Sequence, residues 1–255
     1  MFNQEAETIA PPPENTSVNN GRCGFTLAEV LITLGIIGVV ASLTMPSLIA
    51  NHRKEVLKTE LKKAYSELQQ VNLSFINDEE MNMCEYDWML VDSGLEVMAA
   101  SKELSRKFIK YYQGNGEYIY NLGIDNIKTI SGGNAHTSYF DDGSVADLRK
   151  RTFYFEYGET SRKKCPIITV DINGYYKLPN QLGVDMFAFR PTENGKVIPL
   201  GNPSTLNDAA NGSSTFTECS KTSTSSFNGM GCAYWAVTDI NPEDKTKSYW
   251  KDFIK

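Results

Sequence analysis

The stretch that decides the fold is residues 24–46, GFTLAEVLITLGIIGVVASLTMP. From Phe25 to Met45 its one ionisable group is Glu29. About 20 apolar residues suffice for a helix to cross the hydrocarbon core of a bilayer, so this run is long enough to span. A carboxylate at mid-membrane costs about 2.5–3.5 kcal/mol on insertion scales, which makes an intramembrane acid a functional feature unless it snorkels to the interface. A secretory signal peptide fits less well. Such signals want a basic leading region and an apolar core of about 7–15 residues, whereas residues 1–24 hold Arg22 against Glu5, Glu7 and Glu14.

Outside this stretch the chain is ordinary. Its 255 residues are 41% hydrophobic and 22% charged, a globular composition rather than a disordered or multi-span one. The net charge of −6 argues against non-specific nucleic-acid binding, which needs clustered Lys and Arg to displace counterions. The two histidines, His52 and His136, lack metal-ligand spacing, and His136 in SGGNAHTS reads as a surface residue. No nucleophile–base set and no phosphate loop is visible, so the chain is expected not to be an enzyme.

After Pro46, the segment NHRKEVLKTELKKAYSELQQVNLSFI (51–76) places Leu57, Leu61, Tyr65, Leu68, Val71 and Phe75 at three- and four-residue spacings. That is the period of one helical face. Pro46 lacks the N–H that would continue the helix ladder and should kink or weaken it. Residues 77–93 read as a transition containing Cys84 and Trp88. A second helical segment follows, LEVMAASKELSRKFIKYYQ, with Leu95, Met98, Leu104 and Phe108 on roughly one side. RTFYFEYGE (151–159), CPIITVDI (165–172) and VDMFAFR (184–190) are strand-like, rich in β-branched and aromatic residues. Asn173-Gly174 and Asn194-Gly195 are hairpin cues. These features predict an antiparallel sheet of about four to six strands, entered from a long helix. The tract 201–230 reads as a long surface loop, followed by an aromatic strand, CAYWAV (232–237).

The segment GFTLAEVLITLGIIGVVASLTMP resembles the N-terminus of type IV pilins and type II secretion pseudopilins. The resemblance rests on Gly24 at the cleavage position, Phe25 as first mature residue, Glu29 as the fifth, the uninterrupted apolar run and Pro46 at its end. It implies an α+β, pilin-like fold: a long N-terminal α-helix, transmembrane in its first half, packed on an antiparallel β-sheet head. It also implies a division into a leader, 1–24, removed by a prepilin peptidase; a long helix, 25–76, whose part 25–45 is transmembrane; and a head, 77–255. Gly38 to Pro46 would form an elastic joint in the filament. Glu29 would neutralise the amino terminus of a neighbouring subunit.

The implied partners are the peptidase, copies of this chain or other pilin-like subunits, and an inner-membrane assembly platform. The implied location is the bacterial inner membrane and then an extracytoplasmic filament. The alternative is a single-pass, membrane-tethered binding protein or enzyme that joins no filament. Arg53, Lys54, Lys58, Lys62 and Lys63 lie just after the span and Arg22 just before it. That balance, counted alone, would put the C-terminal part in the cytoplasm. The processing site, Glu29 and the cysteines favour the opposite orientation.

Of the five cysteines, Cys23 leaves with the leader. Cys84, Cys165, Cys219 and Cys232 remain, an even number suited to an oxidising compartment. Three pairings are open. Cys219–Cys232 is favoured because it staples a Ser/Gly-rich loop, as in the C-terminal disulfide-bounded loop of many pilins, and leaves Cys84–Cys165. Finally, VDINGYYKLPNQLGVD (170–185) gathers Asp171, Asn173, Asn180 and Asp185. A turn capped by Asx side chains accounts for them without a metal and is the preferred reading. Their oxygens would also suit calcium, which some pseudopilins bind in a loop near the sheet. No other cofactor is expected.

Overall fold

A computed structural model describes residues 24–112, 117–118, 124–156, 165–203 and 214–254. The chain divides into two units, Met1–Ser47 and Leu48–Lys255.

The described part of the first unit is a short non-helical lead-in from Gly24 and the opening turns of helix α1 (Leu27–Glu79). The hydroxyls in the apolar run bond back into the helix. Thr33 Oγ1 donates to the Val30 carbonyl at 3.0 Å, Ser42 Oγ to Val39 at 2.8 Å and Thr44 Oγ1 to Val40 at 2.9 Å. Such bonds satisfy a hydroxyl where water is absent. α1 is continuous through Gly38 and Pro46.

In the second unit, Leu57, Leu61, Ala64, Leu68, Val71 and Phe75 of α1 are buried, the predicted stripe with one substitution. Ala64 is the fully buried member, while Tyr65 is half-buried and stacks on Phe189 with ring centroids 5.4 Å apart. Two further helices follow, α2 (Met83–Asp92) and α3 (Val97–Tyr111). α2 lies in the stretch read as a transition. Its start is fixed by a capping box in which the Asn82 side chain accepts from the Glu85 N–H and the Glu85 carboxylate accepts from the Asn82 N–H. That exchange satisfies two otherwise orphaned donors.

The sheet is a six-stranded antiparallel meander in the order β1 (Glu117–Tyr118), β2 (Gly143–Ala146), β3 (Thr152–Glu156), β4 (Ile167–Asp171), β5 (Met186–Pro191) and β6 (Val197–Pro199). Both faces of its centre are buried. Phe153, Phe155, Ile168, Val170, Phe187 and Phe189 meet α1 and α3. Tyr154, Ile167, Met186 and Ala188 meet Ile127, Phe140, Leu200, Phe216 and Met230 from the connecting segments. A strand buried on both faces loses its polar alternation, which is why the sequence alternates only in part.

CAYWAV is a helix, α4 (Cys232–Thr238), not a strand. Its buried residues, Cys232, Ala233 and Ala236, recur at helical spacing, and the two alanines let its backbone approach the sheet. The chain closes with a π-helical turn, Tyr249–Phe253, capped by Ser248. Tyr249 and Trp250 are buried there, and Trp250 Nε1 donates to the Ala236 carbonyl at 2.8 Å. A buried ionic bridge crosses the core. Arg151 pairs with Asp147 and with Glu67 of α1, each at 2.7 Å, and Tyr112 donates its hydroxyl to Glu67 at 2.7 Å. A buried charge of this kind is tolerable because its partners are hydrogen-bonded as well.

Candidate functional site

Three sets of residues carry the functional reading, and the first is the N-terminal segment. Gly24 and Phe25 lie in non-helical chain ahead of α1; Gly24 is exposed and Phe25 is 87% exposed. A side chain added at Gly24 would meet nothing within 4 Å, so packing within this chain does not require a glycine there. From Phe25 to Ile49 every large apolar side chain is exposed. Burying one such side chain is worth about 1.5–3 kcal/mol, so the run demands lipid or other helices around it.

Glu29 has a local job that the sequence reading did not assign. Its Oε2 accepts from both the N–H and the hydroxyl of Thr26, each at 2.8 Å, while Thr26 Oγ1 accepts from the Glu29 N–H at 3.2 Å. Thr26-Leu27-Ala28-Glu29 is a capping box, a signal legible in the four residues TLAE. Both Thr26 donors go to Oε2, so Oε1 remains open to a donor from outside.

The cysteines form two pairs. Cys84 joins Cys165 with Cα atoms 4.6 Å apart, and Cys219 joins Cys232 at 5.0 Å. The first bond ties α2 to the approach to β4. The second ties the 214–230 segment to α4.

The third set is the loop from β4 to β5. Asn173-Gly174 makes a local turn there rather than a tight hairpin, because the connection runs on to Met186. Gly174 has φ +86°, and a Cβ would lie 2.1 Å from the Lys150 carbonyl oxygen. Asp171 Oδ1 accepts from the N–H groups of Asn173 at 3.3 Å and Gly174 at 2.9 Å. Asp185 accepts from the N–H groups of Asn180 and Gln181 and from the Asn173 amide. The Asx-capped turn is therefore present.

It does not use up the oxygens. Asp171 Oδ2, Asn173 Oδ1 and Asn180 Oδ1 are buried and bonded to nothing. Burial and the neighbouring Asp185 hold Asp171 well above the usual carboxylate range, and burial pushes Asp185 up to about 6 despite its N–H donors. Buried oxygens without donors suit a hard cation, so the residues present fit calcium.

Three of the five basic residues after the span are engaged by the head. Arg53 donates to the Leu178 carbonyl, Lys54 donates to the Ile254 carbonyl at 2.8 Å, and Lys58 pairs with Asp239 at 2.6 Å. His136 is exposed and stacks on Phe227.

Residues 19–45 match the model of the prokaryotic N-terminal methylation motif, so this is a prepilin-type segment of the type IV pilin kind. No curated protein and no solved structure matches the chain. The model of a family of unknown function (DUF6613) matches residues 47–198, more than half of the chain, and the protein therefore belongs to that family, here behind a prepilin-type N-terminus.

Proposed function

We propose that the protein is a structural, non-enzymatic subunit of a type IV pilus or a type II secretion pseudopilus. A prepilin peptidase cleaves between Gly24 and Phe25 and methylates the new terminus. Residues 25–45 hold the subunit in the bacterial inner membrane, with the head, 77–255, on the extracytoplasmic side. Subunits polymerise through the N-terminal helix on an inner-membrane assembly platform, with copies of this chain or other pilin-like subunits, and Gly38 to Pro46 serves as the joint. The observation that carries this reading is an exposed apolar helical run with one carboxylate, behind an exposed, non-helical Gly24–Phe25 bond. Two disulfides in the head suit an oxidising compartment. Mass spectrometry of the protein from its native cell should find N-methyl-Phe25 as the first residue. An intact Met1 terminus would support the tethered protein instead.

The loop from β4 to β5 serves, in this reading, as a calcium site built from Asp171, Asn173, Asn180 and Asp185. A ligand present at a hundred times its dissociation constant stabilises by about 2.7 kcal/mol, or about 5–10 °C for a chain of this size. Calcium should therefore raise the melting temperature of the full chain in detergent by that order, and a chelator should reverse the rise. The gain should be smaller in Asp171→Asn. An equal gain in that variant, or none in the parent, would remove calcium from this loop.

A further inference from the structure

The β4–β5 loop carries Tyr175-Tyr176-Lys177-Leu178, and the last three of these side chains are exposed. Beyond α1, Tyr176 at 77% and Leu178 at 71% are the most exposed large apolar side chains among the described residues. Their exposure is built in. The Asn173 and Asn180 amides donate to the Lys177 and Tyr175 carbonyls at 3.2 and 2.8 Å, and the Lys177 N–H donates to the Gly174 carbonyl at 2.8 Å. The loop thus holds its own backbone and presents residues 176–178 to the outside. Apolar side chains scattered singly over a surface need no explanation. Two of them held out on either side of a lysine, beside others on α1, do.

Arg53 makes that connection. It donates to the Leu178 carbonyl, and its charge also acts on Asp185 at the far end of the loop. Helical side chains lean toward the N-terminus of their helix. The bond therefore draws Leu178 toward the preceding turn of α1, where Leu48 and Ile49 are exposed and Ile49 shares a face with Arg53. Leu48 and Ile49 follow Met45, the end of the apolar run, by three and four residues. At 1.5 Å per residue that is about 5–6 Å of helix, and α1 is continuous there. The headgroup layer on each side of a bilayer is about 5–8 Å deep. Whatever the angle between span and head, this surface begins at the headgroups.

Its charge suits them. Arg53 and Lys54 bond to carbonyls and so keep their charge, Lys177 is exposed, and the acid within residues 48–58 is Glu55. We propose that Leu48, Ile49, Tyr176 and Leu178, with the positive charges of Arg53 and Lys177, rest on the surface of an anionic lipid bilayer. A tyrosine ring is at home at the headgroup level. The Lys177 stem can cover apolar surface while its ammonium reaches a phosphate, and basic groups near an anionic surface add attraction. The proposal rests on residues 25–45 spanning a membrane. A subunit docked in this way keeps its head on the bilayer until assembly lifts it.

The test uses the full chain carrying Tyr176→Trp, reconstituted into phosphatidylcholine–phosphatidylglycerol vesicles whose acyl chains are brominated near the headgroup. The three native tryptophans, measured in the parent, set the background. The added indole should lose fluorescence to the bromines, as a side chain about 5–10 Å into the headgroup–acyl boundary would. The loss should shrink in phosphatidylcholine alone, and again when Lys177→Glu is added. Resistance to alkaline carbonate extraction reports the span separately. A resistant protein whose added indole is unquenched overturns the docking and leaves the span standing, whereas an extracted protein overturns both. Quenching indifferent to phosphatidylglycerol and to Lys177→Glu overturns the anionic site. A blue shift that grows with protein density but not with bromine gives the surface to a second copy of the chain, and overturns it too.

Discussion

Replacing both Cys84 and Cys165 by alanine should destabilise the protein by about 4–5 kcal/mol, the larger of the two disulfide effects. The bond spans 81 residues in sequence and the Cys219–Cys232 bond spans 13. In the chain-entropy model such loops are worth about 4.5 and about 3 kcal/mol respectively. The longer one also holds an element that would not hold itself. α2 has ten residues, and isolated helices below about 12–15 residues are marginal in water. Guanidinium unfolding of the full chain in detergent, read by the fluorescence of buried Trp250, would compare the two double variants. A shift for the Cys84–Cys165 pair no larger than for Cys219–Cys232 would contradict this ordering.

The features that were legible in the sequence are those with a local cause. The stripe from Leu57 to Phe75 needs only a partner for one helical face, and the strands around Phe153, Ile168 and Phe187 announce themselves by runs of β-branched and aromatic residues, although burial on both faces blurs their alternation. The Asn194-Gly195 cue marked a real β5–β6 turn, with Gly195 at φ +74°. What escaped is set by tertiary context. CAYWAV has strand-like composition, yet Ala233 and Ala236 matter as small residues against a sheet that the sequence does not display. β2 is four residues, GSVA, all buried, too short and too uniform to show a period. α2 had a signal, Asn82 with Glu85, that periodicity alone passes over.

The basic residues after the span show the same divide. Counted as charges, Arg53, Lys54 and Lys58 point the head toward the cytoplasm. In the folded protein they bind the Leu178 and Ile254 carbonyls and Asp239. Three of the five cations thus have a structural occupation within the head, and their number alone is a weaker guide to orientation than it looks. The candidate calcium loop was legible as a set of oxygen-bearing residues. That three of its oxygens stay unbonded while others cap the turn could come only from the packed structure.

Glu29→Gln should be processed and inserted like the parent but should fail to assemble, as should Glu29→Ala. The comparison matters because Glu29 has two candidate roles. As the N3 residue of a capping box it bonds Thr26 through Oε2, and glutamine serves that role nearly as well as glutamate. As a counter-charge it must be ionised, which glutamine cannot be. If the cap were all that mattered, Glu29→Ala would cost about 1 kcal/mol of helix stability and Glu29→Gln almost nothing. If Glu29 neutralises a neighbour's ammonium away from water, removing it strands a buried charge at a cost of about 3–5 kcal/mol. That is more than about a hundredfold at each subunit contact. Filament-incorporated protein, measured against processed protein in the membrane fraction, separates the cases. Equal defects in both variants assign the charge, and normal incorporation of Glu29→Gln assigns the cap. The geometry favours the charge: Thr26 occupies one oxygen and leaves the other open, so the cap would fix the carboxylate's orientation while the neighbour supplies its partner.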